Sequence, residues 1–355
     1  LLELASTGGF LRQGTVVQTA KEGWKFIWQR MMAELAPQDR TGSYRRPSYP
    51  FQGRIGTPSF PDEAGRYHLY TGNPCPWCHR TVLAVNILGF DMGRQIGVTV
   101  LDDDPVKASR GGWVFAAARP DPLGNADLRE LYEQLSPGYQ GRCTAPLLID
   151  KKTRRIVSNE SSDIVRMLNS ASLGDKTKND DDKGSDVKRI DLYPPELAAD
   201  IDAANAWIYE LLNNGVYRCG FSTQQQAYDR ASADVQRGLQ QCQDILDKQP
   251  FLCGDVLTEA DLRLLPTILR FDGSYAPLFK VSYGLPHLTN SFGDTYRKSL
   301  TLVFLLTRLV VPIVALPIIR QYKHGCRGAG VRLRVYRHPL MCQMPVRRTT
   351  SSYSP

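Results

Sequence analysis

The chain has 355 residues, of which 42% are hydrophobic and 23% charged, and this ordinary globular composition is enough for about two domains. It excludes collagen-like, low-complexity and fully disordered proteins. The formal net charge is +8, but residues 281–355 hold eleven Lys and Arg and a single acidic residue, so the first 280 residues are near-neutral. A basic tail on a neutral body argues against a nucleic-acid partner, because the folded part then has no positively charged face that could bind a nucleic-acid phosphate backbone.

The eight cysteines are spread along a long chain with no secretory signal before them, which indicates a reducing compartment. We therefore expect the cytoplasm or the chloroplast. The chain begins with Leu1 rather than Met, as is typical of a fragment or a processed form, and this start is compatible with a lost transit peptide.

The first part of the chain predicts one α/β domain behind an N-terminal extension. Residues 1–64 are rich in Pro, Gly, Arg and Ser and are predicted to be irregular. From residue 65 the pattern changes: 67–70 alternates as a strand, 76–88 is helix-like, and 95–101 is a second strand. A strand, a helix and a strand within about forty residues form a βαβ unit with parallel strands.

The second half of this domain, which we place at 65–172, is predicted to be a hairpin followed by a helix. Residues 146–149 and 156–158 are predicted strands on either side of a turn, and a helix begins near Ser161. The resulting βαβ–ββα order predicts a thioredoxin-like domain.

The remaining chain predicts a linker, a helical domain and an unusual tail. Residues 174–189 are charged and contain one aliphatic side chain, so a linker is predicted at 173–190. Apolar residues recur at helical spacing through 191–280, which predicts an all-α C-terminal domain with a capping box at 258–261. Residues 281–355 match neither domain, because an apolar run is followed by arginine-rich sequence without periodicity. We interpret this tail as translated intron and frame-shifted sequence.

The motif with the clearest chemistry is Asn-Pro-Cys-Pro-Trp-Cys-His-Arg at residues 73–80, directly after the first predicted strand. It places Cys75 at the N-cap of a helix with Pro76 at the first helical position. The free backbone N–H groups and the helix dipole there favour a thiolate, which is the nucleophile of thiol–disulfide exchange. Cys75 is therefore the predicted nucleophile.

Cys78 follows one turn later on the same helix face and is either a resolving thiol or a packed core residue. Three other interpretations of the motif are less favourable. Cys-x-x-Cys-His is also the c-type haem attachment pattern, but the strand-to-helix position favours redox chemistry. A zinc site lacks a second ligand pair, since the other histidines are scattered, and we predict no metal. A purely structural cysteine pair is the remaining alternative.

Two further features indicate glutathione. In thioredoxin-like folds, which this order of elements resembles, a cis-proline before the third strand faces the catalytic cysteine. Pro146, which follows Ala145 at the start of the third predicted strand, is expected to be that proline. Glu160 and Ser161 open the next helix, where a carboxylate, a hydroxyl and free N–H groups suit the charged ends of a γ-glutamyl group. A cap at this distance after a strand-leading proline is what glutathione transferases use, so glutathione is the expected co-substrate.

Six separated motifs, in order, resemble the xi-class glutathione transferases, the glutathionyl-hydroquinone reductases, over residues 20–280. The Cys-x-x-Cys form is most similar to plant, algal or cyanobacterial members. The six motifs are Gly-Arg-Tyr-His-Leu-Tyr at 65–70, Cys-Pro-Trp-Cys-His-Arg at 75–80, Gly-Trp-Val-Phe at 112–115, Asn-Glu-Ser-Ser at 159–162, Asn-Asn-Gly-Val-Tyr at 213–217, and Leu-Thr-Glu-Ala-Asp at 257–261 with Arg-Phe-Asp at 270–272.

The resemblance implies a role for each matching residue. It implies that Tyr217 gives a proton to a departing hydroquinone and that Tyr275 favours the Cys75 thiolate. It also implies a glutathionyl-hydroquinone reductase activity through a Cys75–glutathione mixed disulfide, quinone-derived substrates and a homodimer. The residues that it implies for glutathione binding are Trp113, Arg142, Cys143, Thr144, Ala145, Glu160 and Ser161.

Two alternative functions stay open at the level of sequence. One is a glutaredoxin-like thiol transferase or dehydroascorbate reductase, in which Cys78 has a larger role. The other is a non-catalytic glutathione-fold protein that associates with membranes, because residues 299–319 are strongly apolar and roughly long enough to span a bilayer. Arg308, Pro312 and Pro317 interrupt that run, so a membrane partner is expected only if the tail is genuine.

Overall fold

The computed structural model describes residues 14–104, 112–174 and 190–281. Five strands form one mixed sheet in the order β3-β2-β1-β4-β5. β1 is parallel to β2, and every other neighbouring pair is antiparallel. The strands are β1 Tyr67–Gly72, β2 Gly97–Asp103, β3 Trp113–Val114, β4 Leu147–Asp150 and β5 Arg155–Ser158. Both faces of β1 are buried, as is usual for a central strand that pairs on both sides.

The helices of this half support the sheet and confirm the βαβ–ββα order. Helix α2, Pro76–Ile87, crosses from β1 to β2, and helix α4, Ser161–Ser170, follows β5. The helix Leu128–Leu135, α3, lies between β3 and β4, and neither this helix nor the two-residue strand β3 was predicted. The helix is amphipathic, and the Asp127 carboxylate caps it by accepting the Glu130 N–H at 3.0 Å.

The second half is helical, as predicted. Its elements are a 3₁₀ turn at Pro195–Leu197, α5 Ala198–Trp207, a π-helical turn at Ile208–Asn213, α6 Gly215–Gly220, α7 Gln225–Leu246, α8 Glu259–Arg270, a second π-helical turn at Phe271–Tyr275 and α9 Ala276–Phe279. The expected capping box is present, since the Asp261 carboxylate accepts the Thr258 N–H at 3.0 Å. The two π-helical turns were not predicted, because such local widening of a helix leaves no clear periodic signal.

The N-terminal extension differs from the irregular segment that its composition predicted. Residues Thr15–Leu35 form a 21-residue helix, α1. This stretch has no proline and is rich in good helix formers, whereas the prolines that suggested irregular structure are concentrated at 37–61. Those later residues do run as turns and isolated bridges, one of which pairs Gln52 with Ser158 of β5.

Helix α8 joins the two halves. One cluster of buried apolar side chains lies among the helices after residue 200, and a second lies against the sheet, yet the second includes Leu262 of α8. Glu259, at the start of α8, is fully buried and accepts hydrogen bonds from Arg166 of α4 at 2.8–3.2 Å. The packing therefore fixes the helical half against the sheet.

Within the described ranges, no helix is both long enough and apolar enough to cross a membrane. The predicted linker at 173–190 and the tail at 281–355 fall almost entirely outside the described residues, so the proposed domain boundaries stay a prediction.

Candidate active site

Cys75 lies at the turn from β1 into α2 and is the N-cap residue of that helix. Its backbone is extended, at φ −81° and ψ 119°, and Pro76 takes the first helical position. The half-buried Cys75 Sγ accepts the Cys78 N–H at 3.4 Å and lies 3.6 Å from the Ala145 carbonyl oxygen. The structure thus confirms the predicted cap geometry and places the sulfur against the segment that precedes β4.

This position favours the ionised form of Cys75. A hydrogen bond from the Cys78 side chain lowers the pKa of Cys75 most strongly, and the backbone N–H groups of Cys78 and Trp77 and the charge of Arg270 lower it further. Burial acts in the opposite direction, and the resulting pKa is about 7 instead of the ordinary 9.0. Near neutral pH about half of the sulfur is therefore thiolate, the reactive nucleophile.

Arg270, the last residue of α8, closes the loop in front of Cys75. Its Nη2 donates to the Asn73 carbonyl oxygen at 3.0 Å and its Nε to that of Pro74 at 3.2 Å. Its Nη1 lies 3.0 Å from Nδ1 of His79, whose pKa falls to about 3 because of burial and the adjacent Arg270 charge. His79 is therefore a neutral acceptor. Arg270 was not predicted as a site residue, although it belongs to one of the motifs that carry the family resemblance.

The segment before β4 contains the expected cis peptide bond, between Ala145 and Pro146. The side chains of Cys143 and Thr144, just before it, make contacts within the protein. Cys143 is buried, and its sulfur accepts Arg129 Nη1 at 3.7 Å, while the Thr144 hydroxyl accepts the Asn159 amide at 3.3 Å. Arg142 is exposed. A ligand beside Cys75 would therefore meet mainly the backbone of this segment.

Trp113 of β3 closes over the end of β1. A Cβ atom at Gly72 would lie only 2.2 Å from the indole ring, so the absence of a side chain at Gly72 lets the indole approach the strand. Trp113 also packs against the same apolar cluster as Cys75. This places the predicted tryptophan on the sheet, against the apolar cluster that Cys75 also contacts.

Glu160 and Ser161 lie together at the N-terminus of α4. The Glu160 carboxylate accepts hydrogen bonds from the Ser162 N–H at 3.0 Å, the Ser162 hydroxyl at 2.7 Å and the Ser161 hydroxyl at 3.3 Å. Arg80 Nη1 of α2 donates to the Ser161 Oγ at 3.5 Å, and the Arg80 guanidinium also lies 4.6 Å from the Trp77 ring. Arg80 thus connects the helix that carries Cys75 to the predicted γ-glutamyl site.

Two tyrosines face this site from the helical half. The hydroxyl groups of Tyr217 and Tyr275 lie 3.4 Å apart, and the Tyr217 ring stacks on that of Trp77 at 6.1 Å between centroids. Burial is the main cause that raises the pKa of both phenols, and the charge of Cys75 raises both further. Both are therefore neutral at physiological pH and able to donate a proton. The side-chain hydrogen bond of Tyr275 is the one that it shares with Tyr217.

Arg46 reaches the same place from the N-terminal extension. Its guanidinium carbon lies 4.0 Å from the Trp77 ring centroid and 5.3 Å from that of Tyr217. Hydrogen bonds to the Tyr49 hydroxyl at 3.0 Å and the Asn214 amide oxygen at 3.4 Å hold it there. No motif marks Arg46, and sequence reasoning missed it because the contact depends on how the irregular segment folds back.

Comparison with known proteins places this arrangement in a family. A family model described as "Glutathione S-transferase, C-terminal domain" matches residues 225–290. The match extends ten residues beyond Lys280, where the resemblance found in the sequence ends. The glutathionyl-hydroquinone reductase YqjG of Escherichia coli is 41% identical over 235 residues, or 64% of this chain and 66% of YqjG. The glutathionyl-hydroquinone reductase PcpF of Sphingobium chlorophenolicum is 40% identical over 67% of this chain and 72% of PcpF. The chain belongs to the xi class of glutathione transferases.

Solved xi-class structures confirm the fold of this member. The xi transferase of Phanerochaete chrysosporium is 36% identical to this chain, with a TM-score of 0.60. The match covers 78% of this chain and 98% of the Phanerochaete protein. The glutathione-bound structure of YqjG is also 36% identical, with a TM-score of 0.60, 74% of this chain and 84% of YqjG being covered. The predicted architecture, a thioredoxin-like domain followed by an all-α domain, is therefore correct.

Proposed function

We propose that this xi-class transferase reduces glutathionyl-hydroquinones to hydroquinones, with Cys75 as the nucleophile and glutathione as co-substrate. The observation that carries the proposal is the half-buried, low-pKa Cys75, which lies beside the cis-peptide segment of Ala145 and whose charge acts on two phenols, the half-buried Tyr217 and the buried Tyr275. The names of the two curated relatives, both glutathionyl-hydroquinone reductases, support the substrate class, as does the glutathione in the YqjG structure.

The reaction consists of two exchanges at sulfur. The Cys75 thiolate attacks the glutathione sulfur of the substrate, an S–S bond forms, and the carbon–sulfur bond to the aromatic ring breaks. The electron pair of that bond goes to the ring carbon, which takes a proton and leaves as the hydroquinone. A second glutathione thiolate then attacks the glutathione sulfur of the mixed disulfide, which releases oxidised glutathione and the Cys75 thiolate.

The thioredoxin-like half would hold the glutathione moiety. Backbone groups of 142–145 are suited to pair with the peptide part of glutathione, because the side chains of Cys143 and Thr144 are turned inward. Trp113 would cover it from β3. Glu160 and Ser161, at the N-terminus of α4, would bind the γ-glutamyl end, where a carboxylate can pair with the α-amino group and N–H groups with the α-carboxylate.

The helical half would receive the aromatic ring. The rings of Tyr217, Tyr275 and Phe279 lie 5.5–5.8 Å apart and form an aromatic cluster above Trp77. Tyr217 would donate the proton to the departing ring carbon, and Tyr275 would hold the Tyr217 hydroxyl in place. Their raised pKa values keep both phenols protonated for this task.

We also propose a homodimer in the cytoplasm or chloroplast. The family resemblance supports the dimer. The six cysteines in the described ranges form no disulfide with one another, which supports a reducing compartment.

The test measures hydroquinone release from glutathionyl-menadiol in the presence of excess glutathione. Cys75→Ser should abolish release, and Tyr217→Phe should slow it by about a hundredfold or more, because a general acid is lost. Cys242→Ala removes a buried thiol from α7, and Tyr228→Phe removes one hydroxyl from the same helix, so both serve as matched controls and should retain activity. Full activity of Cys75→Ser would refute the proposal.

A further inference from the structure

Cys78 is a second thiol at the site that the two-glutathione cycle leaves unused. It is 1% exposed, lies one helical turn after Cys75 and packs in the apolar cluster under the sheet with Tyr70 and Leu147. Its backbone N–H donates to the Cys75 sulfur at 3.4 Å, and its side chain is the strongest cause of the lowered pKa of Cys75. The two cysteines therefore interact across the first turn of the helix.

Burial limits what Cys78 can react with. An external disulfide cannot reach a sulfur that is almost fully covered, whereas the half-exposed Cys75 is accessible to substrate. Residues three apart on a helix are neighbours, and the extended N-cap residue is free to turn its side chain toward the next turn. The one disulfide that Cys78 can readily attack is thus the one that forms on Cys75.

Electrostatics sets the order of events. Burial and the adjacent Cys75 raise the pKa of Cys78 well above its ordinary value, so Cys78 stays a thiol while Cys75 is a free thiolate. Once Cys75 carries glutathione, the Cys75 sulfur has no negative charge and no longer raises the pKa of Cys78 by charge repulsion. Cys78 consequently becomes easier to ionise at the stage at which a resolving thiolate is required.

We propose that Cys78 resolves the Cys75–glutathione mixed disulfide and that the enzyme passes through a Cys75–Cys78 disulfide. This inference rests on the proposed role of Cys75. The Cys78 thiolate attacks the Cys75 sulfur, the Cys75–glutathione S–S bond breaks, and glutathione leaves as a thiolate that takes up the proton lost by Cys78. Two further glutathione molecules then reduce the internal disulfide and form one oxidised glutathione, which restores both thiols.

The dithiol route also accepts mixed disulfides of glutathione as substrates, because they give the same Cys75–glutathione adduct. Any accessible thiol that carries glutathione can pass it to Cys75, because that step needs no proton on an aromatic carbon and hence no Tyr217. Intramolecular attack by Cys78 also competes well with a second glutathione, since the two sulfurs are held together by the fold.

The experiment treats the reduced full-length chain with one equivalent of oxidised glutathione and follows released glutathione and intact mass. Wild type should release two glutathione molecules per chain and end without an adduct. Cys78→Ala should release one and retain one glutathionyl group on Cys75. Cys242→Ala, which loses another buried thiol, should behave as wild type.

Peptide mapping after alkylation of the remaining thiols keeps the test decisive if Cys78→Ala fails to fold. A wild-type peptide that contains a Cys75–Cys78 disulfide supports the inference, and a stable glutathionyl adduct on wild-type Cys75 overturns it. The proposed function fails in a different way, because hydroquinone release from glutathionyl-menadiol would then be absent even though oxidised glutathione still reacts with Cys75.

Discussion

At the scale of single residues, the reactivity of Cys75 depends on groups from both halves of the protein. Hydrogen bonds from the first turn of α2 are supplied locally by Cys78 and Trp77, whereas the nearby positive charge comes from Arg270 at the end of α8. Arg270 also binds the carbonyl oxygens of Asn73 and Pro74, so it both orders the loop and adds to the positive potential. The nucleophile is therefore fully activated only when the helical half is docked.

Replacing Arg270 should make Cys75 a weaker acid. In Arg270→Gln the stabilising charge is lost, and we expect the pKa of Cys75 to rise from about 7 by up to about one unit. The Cys78 side chain is the largest cause of the lowered pKa, so Cys78→Ala should raise it further than Arg270→Gln does. The rate of iodoacetamide alkylation against pH measures both shifts, because only the thiolate reacts and the rate at pH 7 falls as the pKa rises.

Two variants separate charge from unspecific damage. Arg270→Lys keeps the charge but loses the forked contacts to the loop and should show a smaller shift. Arg237→Gln, an exposed position paired with Asp234, should leave the alkylation profile unchanged. An unaltered pKa in Arg270→Gln would contradict this account of the thiolate.

At the scale of elements, α8 carries the connection between the two halves. Its first turn holds Glu259, whose carboxylate accepts hydrogen bonds from Arg166 of α4, from Arg263 at 2.9 Å and from Asn205 at 2.8 Å. Its last residue is Arg270, beside the nucleophile. Helix α8 thus holds the two halves together at its first turn and places a positive charge beside Cys75 at its last residue.

Glu259→Gln should destabilise the protein, because it leaves two arginines without their buried counter-charge. We expect the free energy of unfolding to fall by about 3 kcal/mol, measured by urea denaturation. Asp202→Asn is the matched control, since Asp202 binds the same Arg166 but its side chain is 54% exposed, and it should cost at most about 1 kcal/mol. Equal losses in the two variants would show that the buried carboxylate has no special role.

At the scale of the whole molecule, sequence reasoning succeeded where the information is local. The start of α2 at Pro76, the Cys75 cap and the start of α4 at Ser161 follow from residues a few positions apart. The helix α1, the two π-helical turns and the contacts of Arg46 and Arg270 were not predicted. The contacts of Arg46 and Arg270 depend on segments that are far apart in sequence and meet only in the folded chain.

The irregular segment after Pro37 is the clearest example of such a long-range arrangement. The Gln38 side-chain amide donates to the Phe221 carbonyl oxygen at 2.7 Å, and the Thr223 N–H donates to the Gly42 carbonyl oxygen at 3.0 Å. Further along, the Gly53 N–H donates to the carbonyl oxygen of Val157 in β5 at 2.8 Å. The segment therefore contacts both halves of the protein. These contacts place Arg46 beside the rings of Trp77 and Tyr217.

Arg46→Gln should slow the release of hydroquinone without changing the nucleophile. The Arg46 charge lowers the pKa of Tyr217 against the effect of burial, so its loss makes the phenol a weaker proton donor, and we expect a several-fold lower kcat for glutathionyl-menadiol. Alkylation of Cys75 should keep its midpoint near pH 7, because hydrogen bonds from α2 and the charge of Arg270 are retained. Arg45→Gln removes an exposed arginine one residue away and should leave both measurements unchanged. If Arg45→Gln and Arg46→Gln lower kcat equally, the effect comes from the net charge of the segment and not from the position of Arg46 beside Tyr217.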